Sequence, residues 1–314
     1  MKRIFAWATD GSGCYFYRLH MPLVNLPTDK FSVTIGQPGP DIYDYDIVIG
    51  QRIAGKNELW EAICRAPSVT AVYDIDDDLM NIDPENSVPH SIYAPFREQT
   101  RRNIELADVV TVSTPKLGAY IAEINENVHV LRNCVPDALV NTPRRPRHGL
   151  TVGWGGSMFH QQDWGGMNNV LREVHRQVPT ISFRSVGANY MIGVPNVSTV
   201  GFTTVERYHQ ELDFHIGVAP LVNTPFNDRK SWIKPLEYAA RGIPCVTSDV
   251  GQYGEWVEHG WNGYLATNHG EWVDYIVTLV DDGVRTRLAE NALAKARQWT
   301  ISEQIHRWVD VYNQ

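Results

Sequence analysis

Cysteine is scarce in this sequence, and the spacing of the few cysteines does not pair them. The chain of 314 residues has four, at Cys14, Cys64, Cys134 and Cys245, with no C-x-x-C motif. A disulfide-rich secreted scaffold and a cysteine-ligated zinc site are therefore excluded as interpretations. We predict reduced thiols that pack as small hydrophobic side chains.

The sequence also lacks a long apolar run and an excess of positive charge. No stretch approaches the roughly 20 apolar residues that span a bilayer. The N-terminal stretch MKRIFAWATDGSG has too short an apolar segment for a signal peptide. A formal net charge of -8 disfavours a strongly basic nucleic-acid surface. These absences predict a soluble, cytoplasmic protein. The sequence also shows no internal repeat with a period of about 20–50 residues.

What the sequence does contain is an alternation of short apolar strands with helical stretches. Segments such as RIFAWAT, YDIVIGQ and VTAVYDID predict buried strands, and KNELWEAICRA between two of them predicts a helix. The alternation breaks at NTPRRPRHG (141–149), which has the composition of a linker, and then restarts. We therefore predict two α/β domains with parallel sheets, over 1–145 and 146–296, followed by a helical segment over 297–314.

Ligands of open α/β sheets bind at the loops that follow the carboxyl ends of the strands. Gly11 and Gly13 lie in such a loop, directly after the first strand, where a following helix N-terminus favours an anion. The loop does not complete the dinucleotide fingerprint G-x-G-x-x-G, because the third glycine is missing. The two glycines therefore remain candidates for contact with an anionic ligand.

A second glycine-containing loop, VGWGGSMFHQQDW (152–164), follows the first strand of the second domain. Gly156 and Ser157 can present backbone N–H groups and a hydroxyl to a phosphate. His160 follows, and Asp163 comes one helical turn later. We take His160 as a candidate catalytic residue.

Four aspartates lie within five residues in YDIDDDL (73–79), after the fourth predicted strand. Carboxylates this close repel one another and need cations, hydrogen-bond donors or solvent around them. They could bind a divalent metal with a nucleotide diphosphate, form the nucleophile motif of haloacid-dehalogenase-like phosphatases, or accept hydrogen bonds from sugar hydroxyls. The catalytic candidates of this segment are Asp76, Asp77 and Asp78.

Three cations lie close to a glutamate in NDRKSWIKPLEYAARGIPCVTSD (227–249). With about 100° of rotation per residue, Lys230, Lys234 and Glu237 would share one face of a helix. The helix dipole disfavours cations at its N-terminus, so a polyanion such as a diphosphate would explain them. Glu237, one turn further, would then meet the neutral part of the same ligand, such as ribose hydroxyls.

The order of these segments resembles that of the GT-B glycosyltransferases, particularly the retaining family-4-like group that uses nucleotide sugars. The resemblance rests on LEYAARGIPCVTSD (236–249), QYGEWVEHGWNGYL (252–265) and the closing helical segment (280–312). In addition, YDIDDDL, VTVSTP and VGWGGSMFH look like a bacterial and phage subgroup of these enzymes.

The resemblance implies two Rossmann-like α/β domains that face a cleft, with the C-terminal helices packing back toward the N-terminal domain. It implies a nucleotide-sugar donor in the second domain, with the ribose on Glu237 and the diphosphate at the start of its helix. The glutamate that relatives hold eight positions earlier falls on Arg229, so the donor sugar stays open. The implied donor-binding residues are Gly11, Gly13, Gly156, Ser157, Arg229, Lys230, Ser231, Lys234 and Glu237.

The activity implied is transfer of a sugar from a UDP- or GDP-sugar to an acceptor, with retention of configuration and without a metal or other cofactor. The acceptor is a virion protein, a modified DNA base or a surface glycan, and a phage enzyme would act in the host cytoplasm. Three alternatives remain open: an inactive sugar-nucleotide-binding or scaffold protein, an epimerase on the same architecture, and a metal-dependent transferase that uses the D-x-D motif at 74–78.

Overall fold

The computed structural model of the protein describes residues 1–8, 11–142, 144 and 148–314. Within these residues the chain forms two six-stranded sheets, and every strand pair in both of them is parallel. The first sheet consists of β1 Lys2–Trp7, β2 Phe31–Gly36, β3 Ile47–Gln51, β4 Thr70–Ile75, β5 Val109–Val112 and β6 Val128–Val130. The second consists of β7 Thr151–Gly156, β8 Ser182–Gly187, β9 Val197–Val200, β10 Ile216–Ala219, β11 Cys245–Ser248 and β12 Gly263–Ala266.

Helices connect most of the successive strands, whereas β8 and β9 are joined without one. Those of the first part of the chain are α1 Gly13–Tyr15, α2 Met21–Val24, α3 Glu58–Cys64, α4 Ser87–Tyr93, α5 Arg97–Leu106, α6 Pro115–Ile121 and α7 Asp137–Asn141. Those that follow are α8 Met167–Gln177, α9 Val205–Glu211, α10 Pro225–Asp228, α11 Ile233–Ala240, α12 Tyr253–Trp256, α13 His269–Thr278, α14 Asp282–Ala296, α15 Ile301–Gln304 and α16 His306–Tyr312. Short turns of other helix types lie at Phe16–His20, Pro40–Asp44, Ala94–Phe96, Met158–His160, Gln162–Trp164 and Arg297–Trp299.

The chain divides into two compact units. Unit one contains Met1–Cys134, Asp228–Ser231 and Ile301–Gln314, and unit two contains Val135–Asn227 and Trp232–Thr300. The four residues Asp228–Ser231 belong to unit one although their neighbours in the chain belong to unit two, which the sequence did not predict. The domain limits at 145 and 296 stay a prediction from the sequence.

The order of the strands places a switch point in each sheet. In unit one the order is β2-β1-β3-β4-β5-β6, so the chain reverses direction across the sheet between β1 and β3. In unit two the order is β12-β11-β10-β7-β8-β9, and the reversal lies between β7 and β10. Ligands of doubly wound sheets bind outside the carboxyl ends of the strands at such a reversal. The loops after β7 and β10 are therefore where a ligand of unit two is expected.

Two positions of unit two require glycine, one because of side-chain packing and one because of its backbone conformation. A Cβ on Gly153, in β7, would lie 2.0 Å from the ring of Phe214, so the ring packs directly on the strand. Gly242 follows α11 at a φ of +62°, in the left-handed region that ends many helices. It ends the helix before Ile243 and Pro244 lead into β11.

The predicted α/β architecture is confirmed, and strands form within all the apolar segments that were proposed as strands. Strands β9 and β12 were not predicted, because their segments VSTV and GYLA are short and neither is apolar throughout. The proposed linker at 141–149 lies partly outside the described residues. No helix of the described residues is long and apolar enough to cross a bilayer.

The cysteines are free, but they are not all buried. Cys134 and Cys245 are buried, whereas Cys14 and Cys64 are half-buried. Burial raises the pKa of the Cys245 thiol to about 12. The prediction of small buried side chains is thus confirmed for two of the four positions.

Candidate functional site

The carboxyl end of β7, with the loop that follows it (together called the β7 loop), and the start of α11 are tied together in unit two. Lys234 is the second residue of α11, and its Nζ donates to the carbonyl oxygen of Gly155 at 2.9 Å. The backbone N–H of Gly155 donates to the hydroxyl of Tyr238 at 3.0 Å, one turn further along the helix. The Nζ of Lys234 also lies 5.4 Å from the centre of the Trp154 ring. Two segments that are far apart in the sequence therefore form one surface at the carboxyl end of β7.

Gly156 is a glycine because Lys234 and Trp154 occupy the space beside it. A Cβ at this position would lie 2.5 Å from the Lys234 Nζ and 2.6 Å from the Trp154 ring. Ser157 follows as an exposed residue, and its hydroxyl accepts from the backbone N–H of Phe159 at 3.4 Å. The ammonium group and the glycine-containing loop are thus in contact, as an anion-binding surface requires.

Glu237 lies one turn after Lys234 and is held by two residues of α9. Its side chain is buried, with the residue 4% exposed. Tyr208 donates its hydroxyl to the Glu237 Oε2 at 3.0 Å, and the His209 Nε2 lies 3.7 Å from the Oε1. A carboxylate fixed in this way can accept further hydrogen bonds, because each oxygen has two lone pairs.

His160 and Asp163, three residues apart in the sequence, contact each other. The His160 Nδ1 lies 2.7 Å from the Asp163 Oδ2, and both residues are buried. The other oxygen of Asp163 accepts from the backbone N–H of Val222 at 3.1 Å and from the Asn227 Nδ2 at 2.7 Å. Because Val222 follows β10, this carboxylate joins the two loops of the switch point.

The first aspartate of YDIDDDL is part of the buried core of unit one. Asp74 pairs with Arg18 at 2.7 Å and accepts from the Thr111 hydroxyl at 2.8 Å. Burial raises the pKa of Asp74, and the Arg18 guanidinium opposes that rise. Arg18 in turn donates to the carbonyl oxygen of Leu131 and to the Asn133 Oδ1. This pair supports the carboxyl end of β4.

The three candidate catalytic aspartates are each paired with a cation of unit one. Asp76 pairs with Arg52, which also contacts Asp77 at 2.9 Å. Arg52 has a φ of +47°, and this left-handed backbone costs a residue with a Cβ about 1–2 kcal/mol. The fold therefore tolerates strain to place a guanidinium against the acidic cluster.

The remaining contacts of the cluster come from Asp228–Ser231. Arg229 pairs with Asp78 and lies 4.0 Å from the ring centre of Tyr120, and the Lys230 Nζ lies 3.3 Å from the Asp77 Oδ1. Burial raises the pKa of Asp78, and hydrogen bonds from Asn81 and Arg229 oppose the rise. The repulsion among the carboxylates is thus relieved by guanidinium and ammonium groups.

The predicted position of Lys230 on the glutamate helix is wrong. Helix α11 begins at Ile233, with Trp232 as its N-cap, so Lys230 precedes the helix and shares no helical face with Glu237. Ser231 likewise belongs to unit one, where its hydroxyl accepts from the Asn133 Nδ2 at 3.0 Å. Side-chain and backbone contacts with unit one hold Asp228–Ser231 outside the helix. These contacts cannot be read from helical periodicity.

The glycine loop after β1 lies at the switch point of unit one. Gly13 is the first residue of α1, and Ser12 caps that helix by accepting from the Cys14 N–H at 3.2 Å. Gly11 is exposed, and a Cβ on either glycine would meet nothing within 4 Å. Neither glycine is required by packing. The residues before Gly11, at 9–10, lie outside the described residues.

Tyr208, His209, Asn227 and Arg52 contact the candidate residues and were missed from the sequence. Tyr208 lies on α9, whose sequence contains no motif, 29 positions before the glutamate that it contacts. Arg52 follows a buried strand and shows no motif. Of the residues that contact the candidates, only Asp163 could be inferred from the sequence, through its three-residue spacing from His160.

No group of three potential metal ligands from His, Cys, Asp and Glu side chains occurs within the described part of the chain. In the acidic cluster the carboxylates face Arg52, Arg229 and Lys230. Positive side chains at this distance compete with a divalent cation for the same oxygens.

If the carboxyl end of β7 binds the nucleoside diphosphate that the sequence resemblance implies, Gly156→Ala should weaken UDP binding by about tenfold. The added methyl group would displace the Lys234 ammonium, since the neighbouring Trp154 ring is fixed by its packing. Titration calorimetry with UDP measures the effect. Gly165→Ala is the matched control, because it lies after the same loop with a φ of -53° and its nearest contact to a new Cβ is 3.6 Å. Equal losses in the two variants would contradict the assignment.

Comparison with known proteins gives a match to one family model over part of the chain and several solved structures of the same fold. Residues 149–282 match the family described as glycosyl transferases group 1. In sequence, none of the curated proteins matches the chain. Among solved structures, HepE from Anabaena, in complex with UDP-glucose, is 17% identical with a TM-score of 0.70, and the match covers 100% of both chains.

Two further structures have the same fold. Sucrose-phosphate synthase from Thermosynechococcus elongatus is 14% identical with a TM-score of 0.69, over 100% of this chain and 99% of that one. A TarM variant from S. aureus, in complex with fondaparinux, alpha-GlcNAc-glycerol and UDP, is 16% identical with a TM-score of 0.64. That match covers 85% of this chain, which spans 55% of the length of TarM. At these identities the likeness establishes the fold, which is GT-B with two Rossmann-like units.

Proposed function

We propose that this glycosyltransferase transfers a sugar from a nucleotide-diphosphate sugar to an acceptor, with retention of configuration and without a metal ion. The observation that carries the proposal is the surface of unit two formed by the β7 loop, Lys234 and Glu237. It lies at the switch point of the sheet, and the matched family segment includes all of it.

The diphosphate is assigned to Lys234 and the β7 loop. Lys234 is 7% exposed and lies in the first turn of α11, where the helix dipole already favours an anion. A cation at this end of a helix gains nothing from the dipole, but it strengthens the binding of a phosphate. Gly156 and Ser157 directly follow the carbonyl that Lys234 contacts, so we assign the backbone contacts of the diphosphate to their N–H groups.

The ribose is assigned to Glu237. A carboxylate can accept from both hydroxyls of a vicinal diol, and Tyr208 fixes this one at 3.0 Å. Glu237 lies one helical turn after Lys234, which suits the order of diphosphate and ribose in a nucleotide. HepE and TarM were solved with UDP-glucose and with UDP respectively, which supports a uridine nucleotide as the donor.

The chemistry needs a stabilised leaving group. When the bond between the anomeric carbon and the diphosphate oxygen breaks, negative charge develops on the diphosphate and positive charge on the sugar. Fixed donors and cations aimed at the leaving group lower the barrier electrostatically. Lys234 and the β7 loop would supply them. Attack by the acceptor on the same face, guided by the leaving phosphate, would retain the configuration.

The acidic cluster supports a metal-independent reaction. Asp76 and Asp78 are buried and paired with Arg52 and Arg229, so their role is to hold these guanidinium groups in unit one. Asp77 has the most exposed side chain of the three candidates, at 15%. It remains the candidate for contact with a sugar hydroxyl.

The second candidate function is binding of a nucleotide sugar without turnover, and one observation favours it. Arg229 stands eight positions before Glu237, where the resemblance to GT-B enzymes implies a glutamate, and it is paired with Asp78. A protein without that glutamate could bind the nucleotide and still fail to orient the sugar.

Release of nucleoside diphosphate from a panel of UDP- and GDP-sugars separates the two functions. We expect UDP release from at least one UDP-sugar, unchanged in excess EDTA. Binding of UDP with no release from any donor would support the second function. Loss of activity in EDTA, restored by Mg²⁺ or Mn²⁺, would eliminate the metal-independent mechanism.

A further inference from the structure

Asp163 lies at the switch point of the second sheet and has no role in the function proposed so far. Its side chain is 3% exposed and accepts from three groups. One of them, His160, follows β7, and the other two, Val222 and Asn227, follow β10. The carboxylate therefore joins the two loops of the switch point, and one of its partners comes from the loop that follows Gly156 and Ser157.

His160 shares a neighbour with the proposed diphosphate site. Its ring lies 6.1 Å from the Trp154 ring in an edge-on arrangement. The Lys234 Nζ lies 5.4 Å from the same indole. The imidazole and the ammonium therefore border one aromatic side chain, at the carboxyl end of β7.

Two buried polar atoms beside this pair point to a ligand. Within the described residues, the Asn227 Oδ1 and the Trp164 Nε1 are buried and have no hydrogen-bond partner. The amide orientation of Asn227 is fixed, because its Nδ2 lies 2.7 Å from the Asp163 Oδ1 and 2.9 Å from the Val222 carbonyl oxygen. Buried polar groups in native proteins are nearly always satisfied. A phosphate oxygen could accept from the Trp164 Nε1–H, whereas the Asn227 Oδ1 is itself an acceptor and needs a donor such as a ligand hydroxyl.

We propose that Asp163 is a positioning residue that holds His160 as a hydrogen-bond donor to the diphosphate of the donor nucleotide. The inference rests on the proposed function, because its ligand is that diphosphate. His160 then acts together with Lys234, from the other segment that borders Trp154. Asp163 itself touches no substrate atom.

The hydrogen bond to Asp163 defines what the imidazole can do. The carboxylate is an acceptor, so the Nδ1 of His160 carries a proton and donates it to the Oδ2. With Nδ1 committed, the ring can donate to a phosphate oxygen through Nε2 only as the imidazolium. That form brings a positive charge to the site, and the Asp163 carboxylate is its fixed counter-charge. No covalent step is needed, because the contribution is binding and electrostatic.

The test is a double-mutant cycle with Asp163→Asn, His160→Gln and the double variant. Asparagine keeps the oxygen that accepts from Val222 and Asn227, and it removes the charge that faces His160. Titration calorimetry is run with UDP and with uridine, which lacks phosphate. Thermal unfolding of each variant shows that it is folded.

We expect each single variant to bind UDP about tenfold more weakly and uridine with unchanged affinity. The double variant should bind UDP no more weakly than His160→Gln alone, since Asp163 acts through His160. A further loss in the double variant, or an equal loss for uridine, would show that Asp163 only stabilises the loops and would overturn the proposal.

Failure of the proposed function gives a different result. If the native protein bound none of UDP, GDP and ADP, both the proposed function and this inference would fall. If the native protein bound UDP and His160→Gln bound it equally well, only the role of His160 and Asp163 would be overturned.

Discussion

Replacing Glu237 with glutamine is expected to weaken UDP binding by about 30- to 100-fold, while the protein stays folded. Glutamine has nearly the same shape and can still accept from the Tyr208 hydroxyl through its amide oxygen. It loses the negative charge, and hydrogen bonds to charged groups contribute about 1.5–3 kcal/mol. The ribose hydroxyls would meet a neutral amide in place of a carboxylate. Titration calorimetry with UDP measures the loss.

Glu290→Gln is the matched control for this substitution. Glu290 is exposed on α14 in the same unit, so its charge can be removed without touching the proposed site. We expect its UDP affinity to equal that of the native protein. Native-like UDP affinity in Glu237→Gln would show that the ribose binds elsewhere.

Replacing Arg18 with methionine is expected to lower the free energy of unfolding by about 3–5 kcal/mol. The Arg18 side chain is fully buried, and its guanidinium is paired with Asp74 at 2.7 Å. Methionine fills the space of the stem but leaves the Asp74 carboxylate without its counter-charge. Urea denaturation of the two proteins at pH 7 measures the difference.

The double variant Arg18→Met with Asp74→Asn tests the cause. If the loss comes from an unpaired buried charge, neutralising Asp74 should restore most of the stability. A double variant as unstable as the single one would mean that Arg18 acts through its bonds to Leu131 and Asn133.

The loss in Arg18→Met should also depend on pH. Burial raises the pKa of Asp74 and Arg18 opposes the rise, so removing Arg18 raises the pKa further. The folded state then holds the Asp74 proton to a higher pH than the unfolded state, whose pKa is about 3.9. The stability that the Asp74 proton gives to the folded variant is fully present below the unfolded-state pKa and is lost as pH rises through the pKa of the folded state. The variant should therefore be closer to the native protein at pH 4 than at pH 7.

The sequence predicted the repeated elements well because their signals are local. Runs such as YDIVIGQ and VTAVYDID are apolar over the length of a strand, and β3 and β4 form within them. The short edge strands β9 and β12 were missed, because four residues of mixed polarity do not differ from a loop. Neighbouring strands, not their own composition, make these segments pair.

For the candidate site, the sequence found Gly156, His160, Lys234 and Glu237, because a glycine loop and a charged helix start are local features. It could not find Tyr208, which contacts Glu237 from a helix that precedes it by 29 positions. It also placed Lys230 on the helix, since periodicity alone does not show where a helix begins. Asp77, which Lys230 contacts, is 153 positions away in the chain.

Local patterns in the sequence were enough to predict the two α/β units, the loops proposed to bind a ligand and the GT-B resemblance, since strand periodicity and glycine loops depend on neighbouring residues. The pairing of the charges, in contrast, depends on the fold. The fold assigned Arg229 and Lys230 to the acidic cluster of unit one, and Lys234 to the β7 loop of unit two. The physical reason is that a buried charge must find a partner, and the order of the strands in space decides which partner is near.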